Sequence, residues 1–210
     1  MVMGPRKILS PADQARLAAA IAELERRSSA ELVVVVAQRS ASYAAYGGLL
    51  AAAIALLAGW SAAFIEPDLP AAHFALLQGL LLLGGGALCW LTPIGVMIVP
   101  TAVKRARAAA LARAEFADLV NNRTRRKDGV LLFLSVAEHY IEIIADDAVA
   151  AVIPEERWRQ MVSQFTAKAK GAPIGERLHS LVQDCATLLT EHFPPRPGQA
   201  NELTDQIKEI

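Results

Sequence analysis

The sequence predicts an α/β domain, a small central sheet flanked by helices, that is interrupted by a hairpin of two transmembrane helices. Two apolar runs, residues 44–65 and 74–99, contain no Asp, Glu, Lys or Arg. A β-branched run at residues 31–37 predicts a strand buried on both faces. After the apolar runs, residues 130–136 and 140–144 predict two further strands that form a hairpin. Because predicted strands lie on both sides of the apolar runs, we interpret the membrane hairpin as an insertion into the domain.

The first helix is predicted to begin at Ser10. A serine can cap a helix, proline suits its first turn, and an acid is favourable near the positive end of the helix dipole, which matches Ser10, Pro11 and Asp13. Apolar side chains then recur at helical spacing at Leu17, Ile21 and Leu24. One helix and one strand cannot form a domain by themselves. We therefore expect their partners to come from beyond the apolar runs.

Both apolar runs are long enough to cross a bilayer. A hydrocarbon core about 30 Å thick needs roughly 20 apolar residues of helix. Backbone groups inside a bilayer must be hydrogen-bonded within their own segment, so these runs are expected to be helical. A pair of buried helices in a soluble core is the alternative, but such helices seldom stay uncharged over this length. Gln78 is the one amide side chain in the runs, and a single polar side chain there more often joins helices than forms an ion path.

Charge near the spans predicts the orientation of the chain. Basic residues flank both runs, whereas the connecting segment, residues 66–73, contains acids and no Lys or Arg. The positive-inside rule therefore places both soluble segments in the cytoplasm and residues 66–73 outside, in a bacterial-type inner membrane. Two spans return the chain to the side it left. Residues 1–43 and 100–195 are thus expected to form one split domain around a hairpin at residues 44–99, with residues 196–210 as a flexible, helical or frayed tail. The flanking basic residues are Arg26, Arg27, Arg39, Lys104, Arg105, Arg107 and Arg113.

Three aspartates are candidate ligands for a divalent cation. Asp128, Asp146 and Asp147 all lie at predicted strand ends, so they could converge at one rim of the sheet. Carboxylate oxygens bind hard cations such as calcium or magnesium. The favoured interpretation is structural, in which Asp128 sets an Asp-Gly turn and Asp147 starts a helix. The sequence has no His-Glu-x-x-His motif, nucleophile elbow or phosphate-binding glycine loop, so a non-enzymatic role is favoured over catalysis.

The densest basic patch precedes the second predicted strand. It consists of Arg123, Arg125, Arg126 and Lys127. One interpretation is a solvated loop, and the other is contact with anionic lipid headgroups, where each such charge contributes about 1 kcal/mol. The chain holds 21 Lys and Arg residues against 21 Asp and Glu residues, and no aromatic residues alternate with this patch. Nucleic acid is therefore not an expected partner.

The soluble segments, taken in order, resemble the TPM-domain family of thylakoid and bacterial envelope proteins. The matching pieces are Ile8-Leu9-Ser10 with the helix that follows, residues 31–37, Lys127-Asp128-Gly129-Val130-Leu131-Leu132, and Ile141-Glu142-Ile143. The match covers roughly residues 8–40 and 101–193, and it depends on the order and spacing of these pieces. The resemblance implies a sheet flanked by helices. It also implies the roles known in the family, in which some members are described as phosphatases, some bind divalent metal, and others are assembly, repair or accessory factors for membrane complexes.

The chain departs from the family pattern at two places. The Asp-Asn-Gly of the family is shortened here to Asp128-Gly129, and its Gly-Tyr-Gly is replaced by Ile144-Ala145-Asp146. Glycines there would let the backbone approach a ligand closely. We therefore expect an interaction, accessory or assembly factor for membrane proteins, with the lipid bilayer and an integral membrane protein as partners. A metal-dependent phosphatase is the alternative. Oligomerisation through the hairpin, as in a transporter or channel subunit, is a third hypothesis.

Overall fold

The computed structural model describes residues 8–68, 70–92, 94–121, 127–167, 171–196 and 207–210. Two compact units make up the chain. One, the sheet unit, combines the chain before residue 41 with the chain after residue 106, and the other, the hairpin unit, is Ala41–Ala106.

The predicted α/β class is confirmed. In chain order the elements are α1 (Pro11–Arg27), β1 (Glu31–Ala37), α2 (Ala44–Ile65), α3 (Ala71–Leu91), α4 (Ile94–Met97), α5 (Thr101–Phe116), β2 (Gly129–Ser135), β3 (Tyr140–Ala145), α6 (Asp147–Ala150), α7 (Glu155–Ala167), α8 (Ile174–His192) and β4 (Ile207–Glu209), with a π-helical turn, Ala117–Asn121, after α5.

The sheet unit is organised around β1. Among the residues described, the strands form one mixed sheet in the order β3-β2-β1-β4. β1 and β2 run parallel, from Glu31 opposite Gly129 to Ala37 opposite Ser135. β3 returns antiparallel to β2, and β4 pairs parallel with the other edge of β1. A strand that precedes α2 therefore pairs with a strand that follows α3, so the sheet unit is discontinuous in sequence.

Every residue of β1 and β2 is buried, because helices cover both faces of the sheet. Val34 and Val36 belong to a core shared with α1, α7 and α8. Val33 and Val35 belong to a second core on the other face, where the small side chain of Ala108 lets α5 come close to the sheet. A strand covered on one face would alternate apolar and polar residues, whereas a strand covered on both faces is apolar throughout. This double cover explains the uninterrupted valines of β1.

Helices α1 and α8 run side by side and share one carboxylate at their starts. Ser10 Oγ accepts a hydrogen bond from Asp13 N (3.1 Å) and donates one to Asp13 Oδ2 (2.7 Å), which caps α1 as predicted. The same carboxylate lies against Gly175 in the first turn of α8, where an added Cβ would approach Asp13 Oδ1 to 2.7 Å. Asp13 therefore lies at the positive ends of two helix dipoles. Near the other ends, Ser28 Oγ donates to Leu189 O (3.4 Å).

The hairpin unit packs α2 against α3 in antiparallel fashion through small residues. The buried positions of α2 fall on every fourth residue and are Gly47, Ala51, Ala55 and Gly59. The facing residues of α3 are Cys89 beside Gly47, Gly85 beside Ala51 and Gln78 beside Gly59. Small residues at this spacing let two helix backbones approach closely. Gln78 is thus in the helix contact, as expected of a side chain that joins the two helices.

The outer surface of α2 and α3 consists of large apolar side chains. Both helices are long and apolar enough to cross a membrane. In the most apolar stretch of each, 17% of the residues are buried in α2 and none in α3, whereas a core helix of a soluble protein would be mostly buried. The exposed side chains include Leu49, Leu56, Leu57, Trp60, Phe64 and Ile65 on α2 and Leu76, Leu80, Leu83, Trp90 and Leu91 on α3.

The bounds of α3 differ from those of the apolar run at residues 74–99, which was expected to form one helix. The helix begins at Ala71 and ends at Leu91, where Thr92 N (3.0 Å) and Thr92 Oγ1 (2.6 Å) both donate to Leu88 O. Proline is the next residue in the sequence, and the residue before a proline is disfavoured in helical conformation. The apolar residues after it contribute the short helix α4 instead. Composition alone could not separate these two elements, because both are apolar.

The end of the chain is a strand where a flexible or helical tail was expected. Ile207–Glu209 forms β4, and the residues expected to be flexible at 197–206 lie outside the described part. Gln38 N donates to Ile210 O (2.8 Å), and Ile210 N donates to Val36 O (3.0 Å). The side chains also hold the strand, because Glu209 accepts from Gln14 Nε2 (2.6 Å) and Lys208 Nζ pairs with Glu115 Oε2 (2.8 Å). None of these partners is near in sequence, which is why local composition did not predict the strand.

The packing of the hairpin unit predicts opposite effects for two neighbouring glycines. A Cβ added at Gly47 would lie 2.5 Å from Cys89 Cβ, whereas one added at Gly48 meets nothing within 4 Å. We expect Gly47→Ala to destabilise the helix pair by about 1–3 kcal/mol through overpacking. Gly48→Ala, the matched control, should be neutral or slightly stabilising. Thermal unfolding of the full chain in detergent measures both, and equal midpoints for the two variants would contradict the packing described here.

Candidate functional site

The predicted aspartates lie at the edge of the sheet where β2 begins and β3 ends. Asp128 immediately precedes β2, and Asp146 immediately follows β3. The two chain segments are joined by backbone hydrogen bonds from Asp146 N to Gly129 O and from Ala148 N to Lys127 O, both 2.9 Å. The structure therefore places the backbone of Asp128 and of Asp146 at the same edge of the sheet.

The three carboxylates differ in environment and task. Asp128 and Asp146 are buried, whereas Asp147 is exposed in the first turn of α6. Asp146 Oδ1 accepts a hydrogen bond from Asp147 N (2.8 Å), so Asp146, rather than Asp147, is the residue that caps this helix. In the ranges that the structure describes, no group of three or more His, Cys, Asp or Glu side chains is arranged to hold a metal ion.

A buried acid that the sequence reading missed lies at the same edge. Glu31 opens β1 directly opposite Gly129 and is 4% exposed. Together with Asp128 and Asp146 it places three buried carboxyl groups at one end of the two central strands. Burial of a carboxylate is unfavourable unless it is paired or hydrogen-bonded. The available signal was an acid at the start of the apolar run Leu32 to Val36, but its neighbours depend on the register with β2.

Of the predicted lipid-contact residues, Lys127 lies in the described part of the chain and Arg123, Arg125 and Arg126 lie outside it. Lys127 is half-buried and has φ of 59°, a left-handed conformation that is uncommon for lysine. Its carbonyl oxygen is the acceptor for Ala148 N. The backbone at Lys127 is therefore fixed by the same edge that carries the buried carboxyl groups. Lipid contact by this patch stays a prediction.

A second polar cluster lies at the opposite ends of β1 and β2. Ser135 Oγ donates to Glu138 Oε2, and Ser40 Oγ donates to Ser135 Oγ (2.8 Å). Ser40 N donates to Glu138 Oε1 (3.0 Å), so the chain after β1 is tied to the turn between β2 and β3. Ser135 is fully buried and its hydrogen bond goes to a carboxylate rather than to a histidine. This arrangement ties the chain after β1 to the turn between β2 and β3.

The cysteine of the sheet unit is not poised for catalysis. Cys185 is fully buried in α8, and burial raises the pKa of its thiol to about 12. The thiolate is the reactive form of cysteine. Near neutral pH, Cys185 therefore remains protonated and acts as a small apolar core residue.

Comparison with known proteins gives a similarity of fold. No family model matches the chain, and no curated protein matches it in sequence. The NMR structure of the BA42 protein from the psychrophilic bacterium Bizionia argentinensis is similar to this chain, with a TM-score of 0.59 and 14% sequence identity over 99% of each chain. At this identity the similarity shows the fold alone. The resemblance to the TPM-domain family accordingly stays a prediction.

Substitution of Asp146 distinguishes a role as a helix cap from a role as a metal ligand. We expect Asp146→Ala to lower the free energy of unfolding by about 1 kcal/mol, because the start of α6 loses its cap. Asp147→Ala, in which the neighbouring exposed carboxylate is removed, should change it by less than about 0.5 kcal/mol. Both effects should be the same with and without calcium. A calcium-dependent rise in the melting temperature that the wild type shows and Asp146→Ala lacks would establish a metal site instead.

Proposed function

We propose that this chain is an integral membrane protein of a bacterial-type inner membrane, in which α2 and α3 form a transmembrane hairpin. The sheet unit would serve as a membrane-proximal interaction, accessory or assembly domain for other membrane proteins. The observation that carries the proposal is the inverted packing of α2 and α3, with small residues between the helices and large apolar residues on the outside. In water such a surface would be unfavourable, whereas lipid chains solvate it.

The length and the aromatic residues of the helices support a spanning arrangement. α2 has 22 residues and α3 has 21, and at about 1.5 Å per residue both match a hydrocarbon core about 30 Å thick. Trp60 and Phe64 are exposed near the end of α2, and Trp90 is exposed near the end of α3. Aromatic side chains at the ends of spans are typical of the membrane–water interface.

The topology of the sheet supports an even number of crossings. β1 precedes the hairpin unit and β2 follows it, yet the two strands are hydrogen-bonded neighbours. Both flanks of the hairpin must therefore be on one side of the membrane. Basic residues on these flanks, with none in residues 66–73, favour the cytoplasmic side.

An accessory role is the functional part of the proposal, and it is supported by surface charge and by resemblance. Arg105, Arg107 and Arg113 are exposed on α5, where they are available to anionic headgroups or to acidic residues of a membrane protein. Relatives in the TPM-domain family include assembly and accessory factors for membrane complexes. The proposed partner is an integral membrane protein, and self-association of the hairpin is the competing outcome.

Cysteine labelling tests the orientation. In a Cys89→Ala background, Cys185 is buried and stays unlabelled, so Asp68→Cys and Ala150→Cys each supply one reactive thiol. We expect a membrane-impermeant maleimide to label the Asp68→Cys variant in intact cells and the Ala150→Cys variant after permeabilisation. The reverse order would overturn the orientation. Release of the protein from membranes by alkaline carbonate would overturn the transmembrane hairpin.

Photocrosslinking in cells tests the accessory role. A photoreactive phenylalanine analogue at Leu57, exposed on α2, or at Arg113, exposed on α5, is expected to form an adduct with a different integral membrane protein. The same two variants kept without irradiation serve as the control. The identified partner should lose stability or abundance when this chain is deleted. Adducts with a second copy alone, or with no protein at either exposed position, would argue against the proposal.

A further inference from the structure

A cavity of 430 Å³ lies in the sheet unit beside the turn between β2 and β3. Cavities of this size are in the range of small-molecule binding sites. Its walls come from the facing ends of β2 and β3, the end of α7 and the start of α8. The lining residues are Leu134, Ser135, Val136, His139, Tyr140, Ile141, Phe165, Thr166, Ile174 and Arg177. This set contains one guanidinium and one imidazole but no carboxylate.

Most of the polar groups in the wall are already engaged. Tyr140 donates its hydroxyl to Glu142 Oε2 (2.8 Å), and Ser135 donates its hydroxyl to Glu138. Thr166 Oγ1 is bonded to the backbone of its own helix. His139 is exposed at the rim, on a backbone with φ of 50°. The remaining surface is apolar, so a ligand needs an apolar body to fill the cavity.

Arg177 indicates the charge that a ligand of this cavity would carry. Its guanidinium lies 4.3 Å from the centre of the Phe165 ring, and its Nη2 donates to Phe165 O (3.0 Å). These contacts hold the side chain in place. Its Nε is buried and has no hydrogen-bond partner in the described residues. The ion pairs found in those residues do not involve Arg177 either.

A held guanidinium that forms no ion pair within the described residues favours an anion at the cavity that it lines. An arginine binds a carboxylate through charge-assisted hydrogen bonds. On its other side Arg177 borders a second cavity whose walls include Glu176 and Asp184, which would repel an anion there. The positive end of α8 already faces Asp13. Among the described lining residues there is one guanidinium and no acid, which matches a monoanion better than a phosphate dianion.

We propose that this cavity binds a small amphipathic carboxylate, with its carboxylate on Arg177 and its aryl or alkyl body against Phe165, Ile141 and Ile174. This site is independent of the membrane role proposed above, because all of its residues belong to the sheet unit. It is also distinct from the edge that carries Asp128 and Asp146, which lies at the other end of β2.

Methyl NMR of the full chain in a neutral detergent tests the site with three probes. The probes are 3-phenylpropionate, the neutral 3-phenylpropan-1-ol and inorganic phosphate. We expect 3-phenylpropionate to shift the δ1-methyl signals of Ile141 and Ile174 in a saturable way and to leave Ile21, in the core between α1 and the sheet, unchanged. Equal binding of the alcohol would show an apolar cavity without anion selectivity. Equal binding of phosphate would show a simple anion site, and either result would overturn the proposal.

Two substitutions assign the binding to the cavity. We expect Arg177→Gln to weaken 3-phenylpropionate at least tenfold, which corresponds to about 1.4 kcal/mol. Arg159→Gln removes the same charge from an exposed position on α7 and should leave the affinity unchanged. Thr166→Trp, at an exposed position on the rim, should block binding without removing the charge. This variant tests the site even if Arg177→Gln fails to fold. Unchanged affinity in both Arg177→Gln and Thr166→Trp would refute the site.

Discussion

The parallel pairing of β1 with β2 is the interaction on which the remaining architecture depends. Parallel neighbours need a long crossover connection, which is usually a helix packed on the sheet. Here the connection contains the hairpin unit as well as α5, and α5 and the turn after it pack on one face of the sheet. The pairing fixes where the buried acids Glu31 and Asp128 meet. It also fixes where Ser40 reaches Glu138 at the opposite end.

The two units bury side chains of opposite size. In the sheet unit the largest apolar side chains, such as Phe133 and Leu132, are inside, and most of the described charged side chains are outside. In the hairpin unit the contact between helices is made by glycine and alanine, and the leucines and tryptophans face outward. Water drives the first arrangement by excluding apolar surface, whereas close contact between backbones drives the second. The two interiors of this chain are therefore filled by different classes of side chain.

Sequence reasoning predicted the elements whose signals are local. The valines of β1 and the Ser10 cap of α1 gave bounds that agree with the structure, because each signal lies within a few residues of the feature it predicts. The site residues were predicted less completely. Asp146 and Asp128 were found, but Glu31 was missed because its burial at the edge depends on register with Gly129, almost a hundred residues later. The contact between Arg177 and Phe165 gave no signal in the sequence, since it forms only when α7 and α8 pack together.

β4 has a consequence for the assembly of the sheet. A run of four valines on an uncovered strand edge is a template on which another chain can add a strand. In this molecule residues 207–209 occupy that edge, held by the Lys208–Glu115 pair and by the hydrogen bonds that Glu209 accepts from Gln14 Nε2 and Ile8 N. β1 is therefore synthesised before the strand that covers its edge. Until β4 pairs, the backbone groups on the free edge of β1 can bind a strand of another chain. Pairing of residues 207–209 then ends the sheet at that edge.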